Sequence, residues 1–115
     1  MPHFVIHSNK SFIERNGPDR IISCVYEQAL ASTLFSKSII KVRVLPFEYS
    51  FVQGSDQDFI HIVAWIMGGR TDDQKAELAE SIVKSLKAMF PDLPTLSIDV
   101  RDINPTTYTN REMVS

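Results

Sequence analysis

The chain has one cysteine, Cys24, among 115 residues, so no intrachain disulfide can form. That fits a reducing compartment. Its basic residues are scattered and the formal net charge is −2, which leaves no cationic track for nucleic acid. No apolar run approaches the ~20 residues that a membrane span needs. The first residues lack a basic segment followed by an apolar one, so no secretory signal is read there and a cytoplasmic setting is expected. Three scattered histidines and one cysteine do not form a metal set. Ser8, Ser11 and Ser23 stand in no nucleophile-elbow context. What remains is an ordinary globular composition, 43% apolar and 23% charged, at a length typical of one domain.

Strand and helix patterns follow one order, used twice. His3 to His7 reads as a strand. Gly17-Pro18-Asp19 opens a helix, with Asp19 near its positive end. Ile21, Ile22, Val25, Ala29 and Leu30 recur at helical spacing, and this helix is expected to end near Leu34 or Phe35. Ile39 to Leu45 alternates as a second strand, its extension limited by Pro46. Tyr49 to Gln57 reads as a connecting loop. Phe59 to Met67 is a long apolar strand, broken by Gly68-Gly69. Thr71-Asp72-Asp73-Gln74 is an N-cap sequence: a hydroxyl, two first-turn acids, and glutamine at the capping-box position. Leu78, Ile82, Val83, Leu86 and Met89 form the apolar stripe behind it, and Pro91 and Pro94 end the helix. Leu96 to Val100 is the last strand.

The segments Ile40–Val44 and Leu96–Val100 lie 56 residues apart, and the same offset pairs Phe4-Val5-Ile6 with Ile60-His61-Ile62. This indicates one β-α-β unit used twice, about 2–48 and 58–104, within a single domain over 1–115 that ends in a C-terminal tail. Right-handed crossovers between parallel strands then give an α+β fold, a four-stranded mixed sheet with two helices on one face. The bare face needs cover, and assembly of several copies supplies it. The polar tail after Asn104-Pro105 is expected to extend along a neighbouring subunit.

Pro2 follows Met1 directly. Removal of Met1 leaves a secondary amine at the terminus, where most chains carry a primary one with a pKa of about 8. A proline nitrogen is a strong nucleophile and a compact base, and a strand behind it restrains its motion. Such a base suits abstraction of a proton next to a carbonyl. Taken alone, Met-Pro is more often an ordinary start. His3 should face away from Pro2 and reads as a packing or hydrogen-bonding residue, as do His7 and His61. Lys41 and Arg43, two apart on one strand, share a face. That pattern serves an exposed edge, an intersubunit ion pair or an anion site. Arg70 either pairs with Asp72 or Asp73 or holds a carboxylate near the helix N-terminus. Trp65, Phe47 and Phe51 are core residues by default and pocket walls otherwise.

The N-terminal proline, the twin units and the Gly69-Arg70-Thr71-Asp72 run together resemble the tautomerase superfamily. Pro2-His3-Phe4, Ile40-Lys41-Val42-Arg43-Val44, Gly69-Arg70-Thr71 and Asn104-Pro105-Thr106 are similar, in order, to the 5-carboxymethyl-2-hydroxymuconate Δ-isomerase family over nearly the whole chain. Gly69 to Lys75 is also similar to the helix opening of 4-oxalocrotonate tautomerase, whose subunit is a single unit. The resemblance implies a cofactor-free isomerase of aromatic catabolism, built as a homotrimer and acting on a small-molecule carboxylate substrate. It implies that Pro2 serves as general base and then general acid, moving a proton between two carbons of an unsaturated keto acid through a dienol. It further implies that Arg43 and Arg70 are catalytic and that Lys41 and Arg70 bind substrate carboxylates. The isomerase family carries an arginine where Lys41 aligns, and the single-unit relative has its strand arginine nearer Arg43, so the role is open between them. Lysine lacks the bidentate fork of arginine. A phenylpyruvate-type keto–enol tautomerase therefore stands as an alternative, as does a non-enzymatic trimeric binding protein.

Overall fold

A computed structural model describes residues 1–115. Along the chain come β1 (His3–Asn9), α1 (Lys10–Asn16), α2 (Pro18–Ala31), β2 (Lys41–Phe47), β3 (Phe59–Met67), α3 (Asp72–Met89), β4 (Thr95–Ile103) and a 3-10 turn at Arg111–Met113. The strands form one sheet in the order β2-β1-β3-β4. β1 and β2 run parallel, as do β3 and β4, and the two pairs meet through antiparallel β1 and β3. Ile6 stands directly opposite Ile62 in that central pair. These two residues are themselves 56 apart, so a pseudo-twofold axis between them relates the halves.

Strand alternation decides the faces. Phe4, Ile6, Ile60, Ile62, Ala64 and Ile66 are fully buried under the helices, against Ile21, Val25 and Ala29 of α2 and Leu78, Ile82 and Leu86 of α3. The other face carries His3, Val5 and His7 of β1, flanked by Lys41, Arg43 and Leu45 on one side and by Trp65, Val63 and His61 on the other. No helix covers it. Trp65 accordingly lies outside the core, with the Arg101 guanidinium 5.5 Å from its ring. Phe47 packs on His7 at 5.4 Å between ring centroids, and Phe51 is exposed in the loop after β2. The default placing of these aromatics in the core fails for this reason.

Three further expectations are revised. A seven-residue helix, α1, precedes the expected one and buries Phe12 and Ile13, the Phe12 ring meeting Phe90 at 5.1 Å. It spans two turns, too short for a 3.6-residue period to register. Gly17, at φ 85°, separates it from α2 in a region that favours glycine. The helices number three rather than two. α2 ends at Ala31, where the Ser32 hydroxyl donates to the Ala29 carbonyl at 2.6 Å, rather than at Leu34 or Phe35. β2 runs through Pro46 to Phe47; as an edge strand it tolerates a residue without an N–H. Within the chain, the tail brings Tyr108 to His3 and Asn110 to Met1.

The start of α3 follows the sequence reading. The Thr71 hydroxyl accepts from the Gln74 backbone N–H at 3.1 Å, and the Gln74 side chain accepts from the Thr71 N–H at 2.9 Å. Thr71→Ala is expected to cost about 1 kcal/mol of stability, read as a lowered urea midpoint. At the junction of the two units, Asp58 accepts from Arg15 and from the Asn9 amide, the latter at 2.8 Å. The Asn9 carbonyl oxygen in turn accepts from the Phe59 N–H at 3.1 Å. No helix is long and apolar enough to cross a membrane.

Candidate active site

Pro2 continues the alternation of β1, so its side chain is fully buried on the side of Phe4 and Ile6 while His3 turns to the open face. The Pro2 carbonyl accepts from the Lys41 backbone N–H at 3.1 Å, which ties the N-terminus to β2. The Met1 amine donates to the Ile39 carbonyl at 3.0 Å, and Lys41 Nζ donates to the same oxygen at 3.1 Å. Two amino groups thus share one acceptor. The pKa of the amine is pulled from 8.0 to about 6, first by burial and then by Lys41. Burial strips water from the charged form, and a neighbouring cation opposes a second positive charge.

Two residues further along β2, Arg43 Nη1 lies 3.2 Å from His3 Nδ1. A guanidinium has donors only, so Nδ1 must accept and the neutral ring carries its proton on Nε2. Nε2 lies 3.3 Å from the Tyr108 hydroxyl, and the two rings meet edge to face. Burial, then Arg43, Lys41 and the terminal amine, hold the His3 pKa below the ordinary histidine value. Neither Lys41 nor Arg43 has a carboxylate partner, although Lys10, Arg15, Lys75 and Arg101 all do.

Arg70 makes a different set of contacts. Its Nη2 donates to the Leu34 carbonyl at 2.7 Å, and its guanidinium lies 5.5 Å from the centre of the Phe35 ring. Phe35 meets Phe4 of β1 edge to face at 6.3 Å. Asp72 pairs with Lys75 instead of Arg70. The structure therefore gathers Pro2, Lys41 and Arg43 at the start of β1 and connects Arg70 to them through Phe35 and Phe4. Tyr108 and Asn110 also reach this corner, and no local pattern in the sequence marks either of them. None of the four main clefts of the single chain includes Pro2, Lys41 or Arg43. One of them, about 440 Å³ between α2 and α3 and lined by Gln28 and Glu77, belongs to the helical layer.

Comparison with known proteins agrees with this architecture. The 5-carboxymethyl-2-hydroxymuconate isomerase family matches the chain over residues 2–114. No curated protein matches it significantly. Among solved structures, a 5-carboxymethyl-2-hydroxymuconate isomerase from Deinococcus radiodurans R1 is 20% identical, with 96% of this chain and 88% of that chain covered at a TM-score of 0.79. A symmetric trimer of a fused 4-OT protein is 18% identical over 98% of this chain and 96% of that one, at a TM-score of 0.80. A member of the cis-3-chloroacrylic acid dehalogenase family is 17% identical over 95% and 80%, at a TM-score of 0.73. These likenesses establish the tautomerase fold, and the family match sets aside the non-enzymatic reading. The chain belongs to the 5-carboxymethyl-2-hydroxymuconate isomerase family and is an isomerase.

Proposed function

We propose that the protein is a cofactor-independent isomerase of an unsaturated keto acid resembling 5-carboxymethyl-2-hydroxymuconate, with Pro2, freed of Met1, as its proton carrier. The observation that carries this reading is the setting of the chain terminus. The Met1 amine that stands there, partly desolvated beside Lys41, has its pKa pulled to about 6, and the same surroundings favour an unprotonated Pro2 amine at neutral pH. Freed of Met1, the Pro2 nitrogen lies one residue along in the same corner. It takes a proton from one position of the substrate, leaving a dienolate, and returns it at another carbon. Arg43, without a carboxylate partner of its own, binds a substrate carboxylate or the developing oxyanion, where electrostatic stabilisation is usually the largest contribution.

Lys41 and Arg70 serve as further carboxylate sites in this reading. Both donate to backbone carbonyls, of Ile39 and Leu34 respectively, so binding exchanges one oxygen acceptor for another. That engagement also favours the second reading, a phenylpyruvate-type keto–enol tautomerase with fewer charged contacts. Arg70→Ala separates the two. For a dicarboxylate substrate it is expected to raise KM about tenfold, the loss of one charge-assisted hydrogen bond, with a smaller change in kcat. An equal loss with an uncharged enol would assign Arg70 to the fold or the oxyanion.

The open face of the sheet, which no helix covers, supports completion of the site by other copies, as a homotrimer. Sedimentation as a monomer at micromolar concentration would overturn that assembly. The single thiol, with no partner for a disulfide, fits a cytoplasmic setting.

A further inference from the structure

The open face holds one side chain that touches both the proposed substrate site and the tail. His3 is hydrogen-bonded at both ring nitrogens, to Arg43 at 3.2 Å and to Tyr108 at 3.3 Å. Its surroundings are cationic or neutral on every side. From β2 come Lys41, its register partner, and Arg43; from the chain start comes the terminal amine. From β3 comes Trp65, with Arg101 of β4 stacked on it, and from the tail comes Tyr108. Asp99 is turned to Arg101, which it contacts at 2.6 Å. No carboxylate is bonded to His3, so nothing on this face favours a charged ring.

We propose that His3 is a positioning residue for Arg43, accepting the guanidinium at Nδ1 and anchored from behind by the tail through its Nε2–H and Tyr108. The contact exists only while the ring is neutral. A protonated imidazole is a donor at both nitrogens and turns the Arg43 contact from attraction to repulsion. As pH falls, His3 protonates and releases Arg43. As pH rises through the titration of His3, the lone pair on Nδ1 returns and the arginine is held. The inference rests on the reading above, in which Arg43 binds a carboxylate.

The test is a pH series of steady-state kinetics with 5-carboxymethyl-2-hydroxymuconate, from about pH 5 to 8, where histidine titrates. In the wild type, KM is expected to rise about tenfold toward the acid end, while kcat separately follows the titration of the Pro2 base. His3→Leu is expected to show the raised KM at every pH. His3→Asn keeps an acceptor near the position of Nδ1 that does not titrate, and should restore the low KM while removing the inflection. Nitrogen-15 NMR of the His3 ring, without substrate, should show the Nε2–H tautomer, and Arg43→Ala should raise its titration midpoint. A wild-type KM profile in His3→Leu, an inflection in KM surviving in His3→Asn, or an Nδ1–H ring would overturn the proposal. Arg43→Ala with an unchanged KM would overturn the carboxylate role of Arg43 and this inference with it. A raised KM in Arg43→Ala beside an unchanged one in His3→Leu would overturn this inference alone.

Discussion

Pro2→Ala is expected to slow turnover about a hundredfold, the lower end of what a positioned general base contributes, while the assembled fold persists. The lower end is expected because alanine at the terminus still offers an amine. That amine is primary and free to rotate, whereas the proline ring is fully buried against the core side of β1 and holds its nitrogen in one direction. Retention of Met1 turns the Pro2 nitrogen into an amide and moves the free amine one residue away from the substrate, and should give the full loss of about 10⁴. Both are read by the ultraviolet absorbance of the unsaturated keto acid substrate, after intact-mass spectrometry has established which residue begins the chain. Sedimentation in parallel distinguishes a lost base from a lost assembly. Turnover unchanged in either form would take Pro2 out of the mechanism.

The largest stability effect is expected at the centre of the sheet. Ile62 is fully buried and is flanked by Ile6 on β1 and Ile98 on β4. Ile62→Ala removes three carbons from a site walled by two strands and the overlying helices, which can close on the void only in part. A loss of about 2–5 kcal/mol follows. Against a typical total of about 5–15 kcal/mol, that is a large share of the stability. Urea unfolding followed by circular dichroism measures it. A loss below 1 kcal/mol, the scale of a surface substitution (about 0.5 kcal/mol), would mean that the core relaxes far more than its packing indicates.

Much of this molecule was legible in the chain because two signals repeat. The bounds of β3 and α3 read directly from an unbroken apolar run and from a capping sequence whose hydroxyl and glutamine do bond as expected. The 56-residue offset carried the topology. α1 escaped because two turns with adjacent Phe12 and Ile13 show no period. β2 was cut short at Pro46 because edge position, which makes proline tolerable, is a property of the sheet and not of the strand. Of the site, Pro2, Lys41 and Arg43 were visible as residue types at a spacing. His3 was visible only as a hydrogen-bonding residue, and its two partners lie 40 and 105 positions away. The first pairing is set by the parallel register of β1 and β2, and the second by the return of the tail, which has no periodic pattern to announce it.

The internal symmetry has a consequence for stoichiometry. Adding the 56-residue offset to Pro2 leads to position 58, where the second unit has Asp58 within the chain, bound to Arg15 and Asn9. Its nitrogen is a peptide amide and cannot become a free base. A chain that joins two units end to end therefore has two folded halves and one terminus, and chemistry that depends on the terminal amine runs at one centre per pair of units. The corresponding corner of the second unit has a carboxylate already paired with Arg15 and bonded to Asn9, contacts that tie the start of β3 to β1 and α1.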